Sequence, residues 1–182
     1  GLIVAGGVVT VLAWALWRRL SLLQVSDMAA VGLPLGYAIG RIGCQVSGDG
    51  DYGTASSLPW AMGYPDGAVP TAPGETVHPT PLYETLAMGV FALVLWHLRD
   101  RFKPGTLFGI YLVGAGVERF LIEFLRRNDH VVGFMTAAQL ESLALAVAGV
   151  VWLLVLSARH GGALRAEEPP PARARRRGTA PA

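Results

Sequence analysis

The chain has 182 residues, a net charge of +2, 52% hydrophobic residues and only 15% charged ones. With a mean hydropathy of +0.43 and a charged fraction far below the about 25% of an ordinary soluble domain, this composition excludes a soluble globular domain, a disordered chain and a nucleic-acid binder. A single cysteine, Cys44, excludes an internal disulfide framework and a cysteine-based zinc site, and the four histidines, at 78, 97, 130 and 160, provide no pair with metal-ligand spacing.

The chain opens on Gly1 and runs straight into apolar residues, with no charged n-region and no signal-peptide cleavage site; it is read as the C-terminal part of a longer protein. Five apolar stretches follow, about 2–17, 28–46, 82–98, 106–125 and 132–157, each at or near the roughly 17–25 residues that span a bilayer. The expected fold is therefore an all-α integral membrane protein with about five transmembrane helices in a domain over 1–160. Of the 15 basic residues, 11 follow the first, third and fifth stretches, so those ends are expected to be cytoplasmic. The loop 47–81 has no Lys or Arg and carries Asp49, Asp51, Asp66 and Glu75; it is expected to be extracytoplasmic, with Trp60, Met62, Tyr64 and Val69 packing it down. Arg126 and Arg127 break the charge pattern. Trp14, Trp17, Trp96 and Trp152 are expected to form an aromatic belt at the cytoplasmic ends. The tail 161–182, with three consecutive prolines and five arginines, is expected to be disordered and held near anionic headgroups.

Within the second stretch, Gly32, Gly36, Gly40 and Gly43 form a ridge of small residues where another helix can approach closely. Arg41 lies at its edge. An arginine in a membrane segment costs at least about 2.5–3.5 kcal/mol on insertion scales, so it needs a partner, either Glu118 or Glu123 or an anionic ligand. In the fourth stretch Arg119, Glu123 and Arg126 stand at i, i+4 and i+7 and share one helix face, with Glu118 about a hundred degrees away. Counted with Arg41, three cations face one buried acid. That surplus points to a phosphate, which guanidinium binds bidentately. His78, fixed by Pro79 and Pro81 where the loop enters the third stretch, is a candidate proton carrier near Glu84 and Asp49 or Asp51, or a histidine bonded to a loop carbonyl. Cys44 reads more readily as a small apolar residue than as a nucleophile.

The string Gly40-Arg41-Ile42-Gly43-Cys44-Gln45-Val46-Ser47-Gly48-Asp49, ending at Tyr52-Gly53, resembles the signature of the prolipoprotein diacylglyceryl transferase family. So do Leu58-Pro59-Trp60-Ala61-Met62, His78-Pro79 with Leu82-Tyr83-Glu84, and Arg119-Phe120 with Glu123-Phe124 and Arg126. The resemblance implies a multi-pass enzyme of the bacterial cytoplasmic membrane that moves the diacylglyceryl group of phosphatidylglycerol onto the lipobox cysteine thiol of a prolipoprotein, releasing glycerol 1-phosphate. It implies that Arg41 and Arg119 bind the headgroup, that His78 and Glu123 act with them in catalysis, and that Arg126, Cys44, Gly53 and Tyr83 contribute to substrate binding. Phosphatidylglycerol, the signal peptide of a prolipoprotein and membrane lipids are the implied partners, with no nucleic acid, no metal and no other cofactor. The chain departs from the family at Cys44, where an asparagine is usual, and by one residue more between Gly48 and Gly53. Gly1-Leu2-Ile3 resembles the end of a His-Gly-Gly motif whose histidine is the family's candidate base. These departures keep a second expectation open, a non-catalytic anionic-lipid-binding or transport protein on the same scaffold.

Overall fold

A computed structural model describes residues 2–128, 130–133 and 135–165. The fold is mostly helical: α1 (Leu2–Trp17), α2 (Leu22–Ser47), α3 (Thr80–Leu98), α4 (Thr106–Ile122) and α5 (Ala137–His160). A 3₁₀ turn, Glu123–Leu125, follows α4, and a two-stranded antiparallel hairpin of β1 (His130–Val132) and β2 (Met135–Thr136) precedes α5. Leu22–Ser47, Thr80–Leu98 and Ala137–Arg159 are long and apolar enough to cross a membrane.

Two boundaries differ from the expected stretches for local reasons. α2 starts at Leu22 rather than about 28, and takes in the polar Gln24–Asp27 turn. The Asp27 carboxylate accepts the backbone N–H of Gly105 at 2.7 Å and of Phe108 at 2.9 Å. It thereby caps α4 from another helix, satisfying donors a helix start leaves orphaned. α5 starts at Ala137 rather than about 132, because Thr136 and Gln139 form a reciprocal capping box.

The helices pack as two close pairs, α2 with α3 and α4 with α5, and α4 also touches α2 and α3. α2 presents Ala30, Pro34 and Ala38 as its buried face. Among the described residues nothing packs on the expected glycine ridge, since a Cβ on Gly32, Gly36, Gly40 or Gly43 would meet no atom within 4 Å. Close approach is built into α4 instead, where a Cβ on Gly116 would lie 2.6 Å from the Ser142 carbonyl oxygen of α5. Leu95 and Leu107 are buried with Ala30, Met88 and Ala115 with Ala38.

The connection between α2 and α3 folds on itself rather than hanging free. Tyr52 and Tyr64 stack at 5.0 Å over the buried Val77, the Tyr52 hydroxyl donates to the Val69 carbonyl at 2.8 Å, and Val77 pairs with both Ala55 and Met62. Of the four side chains expected to anchor this loop, Tyr64 is buried, whereas Trp60, Met62 and Val69 remain exposed. Trp14, Trp17 and Trp96 are exposed, whereas Trp152 donates its indole N–H to the Gly105 carbonyl at 2.8 Å and clamps the α3–α4 turn. Residues 161–165, expected to begin a disordered tail, pair with that same turn: Lys103 N–H donates to Ala163 and Arg165 N–H to Arg101. The rest of the tail, 166–182, lies outside the described residues.

Candidate functional site

Arg41, Arg119 and Arg126 come from three different segments and meet at the loop end of the helices. Arg41 sits one turn after Tyr37 on α2; its Nε lies 3.0 Å from Glu84 Oε2, and its NH2 donates to the Tyr37 hydroxyl at 2.8 Å. The Tyr37 hydroxyl in turn donates to Glu84 Oε1 at 2.8 Å. Glu84 has 0% exposure and stands one turn into α3, after the Pro79–Pro81 entry, where Thr80 and Pro81 are buried as well.

Arg126 reaches the same acid by another route. α4 stops at Ile122, the chain makes one 3₁₀ turn, and Arg126 is extended (φ −84°, ψ 162°). It therefore does not share the helix face of Arg119 and Glu123, as the i+7 spacing suggested. Its backbone pairs with Gly53 instead, its Nε lies 3.9 Å from Glu123 Oε2 and its NH1 lies 3.7 Å from Glu84 Oε2. Arg119 completes the series at 2.6 Å from Glu123. An unbroken chain of ion pairs thus runs Arg41–Glu84–Arg126–Glu123–Arg119 across α2, α3 and α4. Asp51, on the loop, bridges Arg41 and Arg126 directly.

This pairing revises the charge count made from sequence. Arg41 pairs with Asp51 and Glu84, not with Glu118 or Glu123, and three guanidiniums face three carboxylates rather than one. Asp51 and Glu84 were missed as partners. A lone glutamate in the apolar third stretch was the available signal, because such a carboxylate requires a cation wherever the fold supplies one. Burial acts to raise the Asp51 carboxyl, but the Arg126 and Arg41 guanidiniums outweigh it and hold it below the usual carboxylate range. Arg127 pairs with Glu75 of the same loop, so both basic residues that broke the charge pattern are neutralised by loop acids.

The remaining sequence candidates gather around this chain. Gly53 is the crossing point: its N–H donates to the His78 carbonyl at 2.8 Å, and a Cβ there would lie 2.5 Å from the Leu125 carbonyl oxygen and 2.9 Å from His78 Cβ. Only glycine lets the loop, the His78 segment and the Arg126 segment meet. The His78 ring does not face Glu84 or Asp51; its Nδ1 lies 3.4 Å from the Tyr83 hydroxyl, which accepts the Trp60 indole N–H at 2.8 Å. Cys44 is partly exposed and its Sγ lies 3.7 Å from Arg41 NH1. Cys44, Asp49 and Asp51 bring ligand atoms within 4.8 Å of one another, but Asp51 is engaged by two guanidiniums, an arrangement that suits an anion or a carboxylate and repels a cation. Glu123 is further held by Asn128 at 2.6 Å and Thr136 at 2.8 Å.

Open grooves flank α4. One, about 360 Å³, is lined by Arg119 with Ala138, Glu141, Ser142 and Leu145; the other, about 350 Å³, lies between α3 and α4. A further cavity, about 510 Å³, lies at the far end of α2 and α3 beside Asp27 and Trp96 and includes no member of the ion-pair chain.

Comparison with known proteins points the same way. Residues 1–155 match the family model described as prolipoprotein diacylglyceryl transferase. Relatives named phosphatidylglycerol–prolipoprotein diacylglyceryl transferase include one from Idiomarina loihiensis, 36% identical over 160 residues (82% of this chain, 58% of the relative). Another, from Thermosynechococcus vestitus, is 39% identical over 154 residues (80% and 56%). A third, from Methylobacillus flagellatus, is 36% identical over 161 residues (85% and 59%). The chain thus spans less than two thirds of the length of these relatives. The matched region contains every member of the ion-pair chain, and the chain belongs to the prolipoprotein diacylglyceryl transferase family.

Proposed function

We propose that this protein transfers the diacylglyceryl group of phosphatidylglycerol to the lipobox cysteine of a prolipoprotein, with release of glycerol 1-phosphate. The observation that carries this reading is the buried Arg41–Glu84–Arg126–Glu123–Arg119 chain at the loop end of apolar helices. Arg41 and Arg119 bind the phosphoglycerol headgroup, and Arg126 joins them. Because the cluster is balanced, a phosphate has to take the place of one carboxylate. Asp51, at 32% side-chain exposure and on a loop, is the acid best placed to yield, whereas Glu84 and Glu123 are sealed. The reaction breaks the bond between glycerol carbon and phosphate oxygen and forms a carbon–sulfur bond. Guanidiniums around the departing phosphate stabilise the charge that develops there. The nucleophile is the thiolate of the substrate protein, so the enzyme supplies proton handling rather than a nucleophile. Glu123 holds Arg119, His78 carries a proton through Tyr83, Gly53 holds the Arg126 segment in place, and Cys44 borders the headgroup at Arg41.

In this reading all five helices span the bacterial cytoplasmic membrane and form one domain over 1–160. α1, with 16 residues, and α4, with 17, are at the short edge of the spanning range. The loop 47–81 faces outward, and the arginine-rich tail lies on the cytoplasmic side as a disordered basic segment. The pairing of Arg126 and Arg127 with Asp51 and Glu75 supports that sidedness, since neither then counts as a free outer cation.

The test is lipidation of a prolipoprotein by the chain in phosphatidylglycerol vesicles. Arg41→Ala and Arg119→Ala are each expected to insert normally and to abolish transfer; normal lipidation by both variants overturns the proposal. The balanced cluster and Cys44 at the usual asparagine position favour a second reading, a lipid-binding or transport protein on this scaffold. Binding of phosphatidylglycerol without release of glycerol phosphate distinguishes it.

A further inference from the structure

The three arginines of the site are not equally committed. Arg41 contacts Tyr37, Asp51 and Glu84, and Arg126 contacts Asp51, Glu84 and Glu123. Arg119 pairs with Glu123 and, among the described residues, makes no other hydrogen bond or ion pair. Its side chain is the most exposed of the three, at 26% against 13% for Arg41 and 9% for Arg126, and it lines the open groove between α4 and α5. A guanidinium carries five N–H donors, more than one carboxylate can take. Arg119 therefore keeps donors for an oxyanion, and its place in the site depends on Glu123.

Glu123 is in turn fixed through its other oxygen. Its Oε2 faces Arg119 NH1 at 2.6 Å and Arg126 Nε at 3.9 Å, whereas its Oε1 is taken by two neutral donors, Asn128 Nδ2 at 2.6 Å and Thr136 Oγ1 at 2.8 Å. The direction of the Thr136 hydroxyl proton is determined. Oγ1 accepts the Gln139 backbone N–H at 3.2 Å, and an ionised carboxylate can only accept, so the hydroxyl donates to Glu123. One oxygen thus caps α5 and orients the acid. The same arrangement recurs at Glu84, where the Tyr37 hydroxyl accepts from Arg41 and donates to Oε1, while Oε2 faces Arg41 and Arg126. Each sealed acid turns one oxygen to neutral donors and the other to guanidiniums.

We propose that Thr136 and Asn128 are positioning residues of the phosphate site: by holding Glu123 Oε1 they aim Oε2 at Arg119 and keep that guanidinium where its remaining donors meet a phosphate. Both act through Glu123 rather than on the phosphate itself. This rests on the transferase reading above and adds the residues that place its least committed arginine.

Binding of glycerol 1-phosphate to the full chain in phosphatidylcholine nanodiscs, read from the broadening of its phosphorus NMR resonance, tests this without turnover. Asn128→Ala and Thr136→Val are each expected to weaken binding about tenfold, the worth of one hydrogen bond, and Thr136→Ser, which keeps donor and acceptor, is expected to bind as the unaltered chain does. Thr136→Val also uncaps α5, so Asn128→Ala, which leaves the cap intact, carries the distinction from a structural effect. Gln139→Ala breaks the capping box but not the bond to Glu123; it is expected to lower the thermal midpoint and leave binding unchanged. In an Arg119→Ala background neither Asn128→Ala nor Thr136→Val is expected to weaken binding further. With phosphatidylglycerol added and a synthetic signal peptide carrying the lipobox cysteine as acceptor, kcat/KM is expected to fall by the same factor. Unchanged binding in Asn128→Ala and Thr136→Val, an equal loss in Gln139→Ala, or a loss that persists without Arg119 overturns the positioning role and leaves the transferase reading intact. The expected binding pattern with no transfer by the unaltered chain overturns the transferase reading instead. Failure of the unaltered chain to bind glycerol 1-phosphate overturns both.

Discussion

Asp51 is the acid on which two arginines converge, and its behaviour with pH follows from that. Its carboxyl is held below the ordinary carboxylate range by Arg126 and Arg41, against the effect of burial. A depressed carboxylate stabilises the fold above its unfolded value and loses that contribution as the pH falls through the folded one. Asp51→Asn is therefore expected to lower the thermal midpoint at neutral pH and to flatten its decline between about pH 5 and pH 2, measured in detergent by tryptophan fluorescence. An identical acid decline in variant and wild type would falsify the pairing. Glu84 is the harsher case. Glu84→Gln keeps the shape and the Tyr37 contact but leaves the buried Arg41 Nε and Arg126 NH1 without their carboxylate. Removing one partner of a buried ion pair costs about 3–5 kcal/mol. Glu84→Gln is accordingly expected to unfold at markedly lower denaturant than Asp51→Asn, whose side chain is 32% exposed and whose pairs are screened.

Among the helices, small residues do different work in different places. Gly116 lies where α4 meets α5 backbone to backbone, with 2.6 Å from an added Cβ to the Ser142 oxygen; Gly36 on α2 has open space. Gly116→Ala is expected to destabilise by roughly 1–3 kcal/mol through forced separation of the pair. Gly36→Ala is expected to be neutral or stabilising by up to about 1 kcal/mol from helix propensity alone. Chemical denaturation of the two variants side by side checks the contrast, and equal effects would show that α4 and α5 are not in close contact. The spacing of glycines every four residues on α2 was visible in the sequence. Which glycines meet another backbone was not, because periodicity locates a face of a helix but not the neighbour that covers it. The ends of helices were legible to the extent that capping chemistry is local. Thr136-Ala-Ala-Gln139 carries its own start signal, whereas Asp27 caps a helix 78 residues away and nothing in its neighbours reveals that.

The assembled protein has a direction across the membrane that labelling can read. In a Cys44→Ser background, Asp66→Cys on the loop is expected to react with a membrane-impermeant maleimide added to intact cells, and Arg101→Cys on the α3–α4 turn only after permeabilisation. The reverse pattern would invert the proposed sidedness. Composition alone already required helices in lipid, since a chain this apolar and this poor in charge has to satisfy its backbone internally. Four short motifs in order were enough to place Arg41, Arg119, Glu123, His78 and Gly53 in one family, because each block is local and its residues are read directly. The charge balance of the site was not legible. Asp51, Glu84 and Arg126 are separated by 33 and 42 residues along the chain, and they meet only because Gly53 lets the loop cross under His78 and because α4 ends in a 3₁₀ turn that carries Arg126 off the helix. Residue types settle which groups carry charge; where a helix stops, and with it whether Arg126 stays on the face its spacing assigns, is decided by the tertiary structure, and so is which charges neutralise one another, since ion pairs form over a few ångströms of space irrespective of distance along the chain.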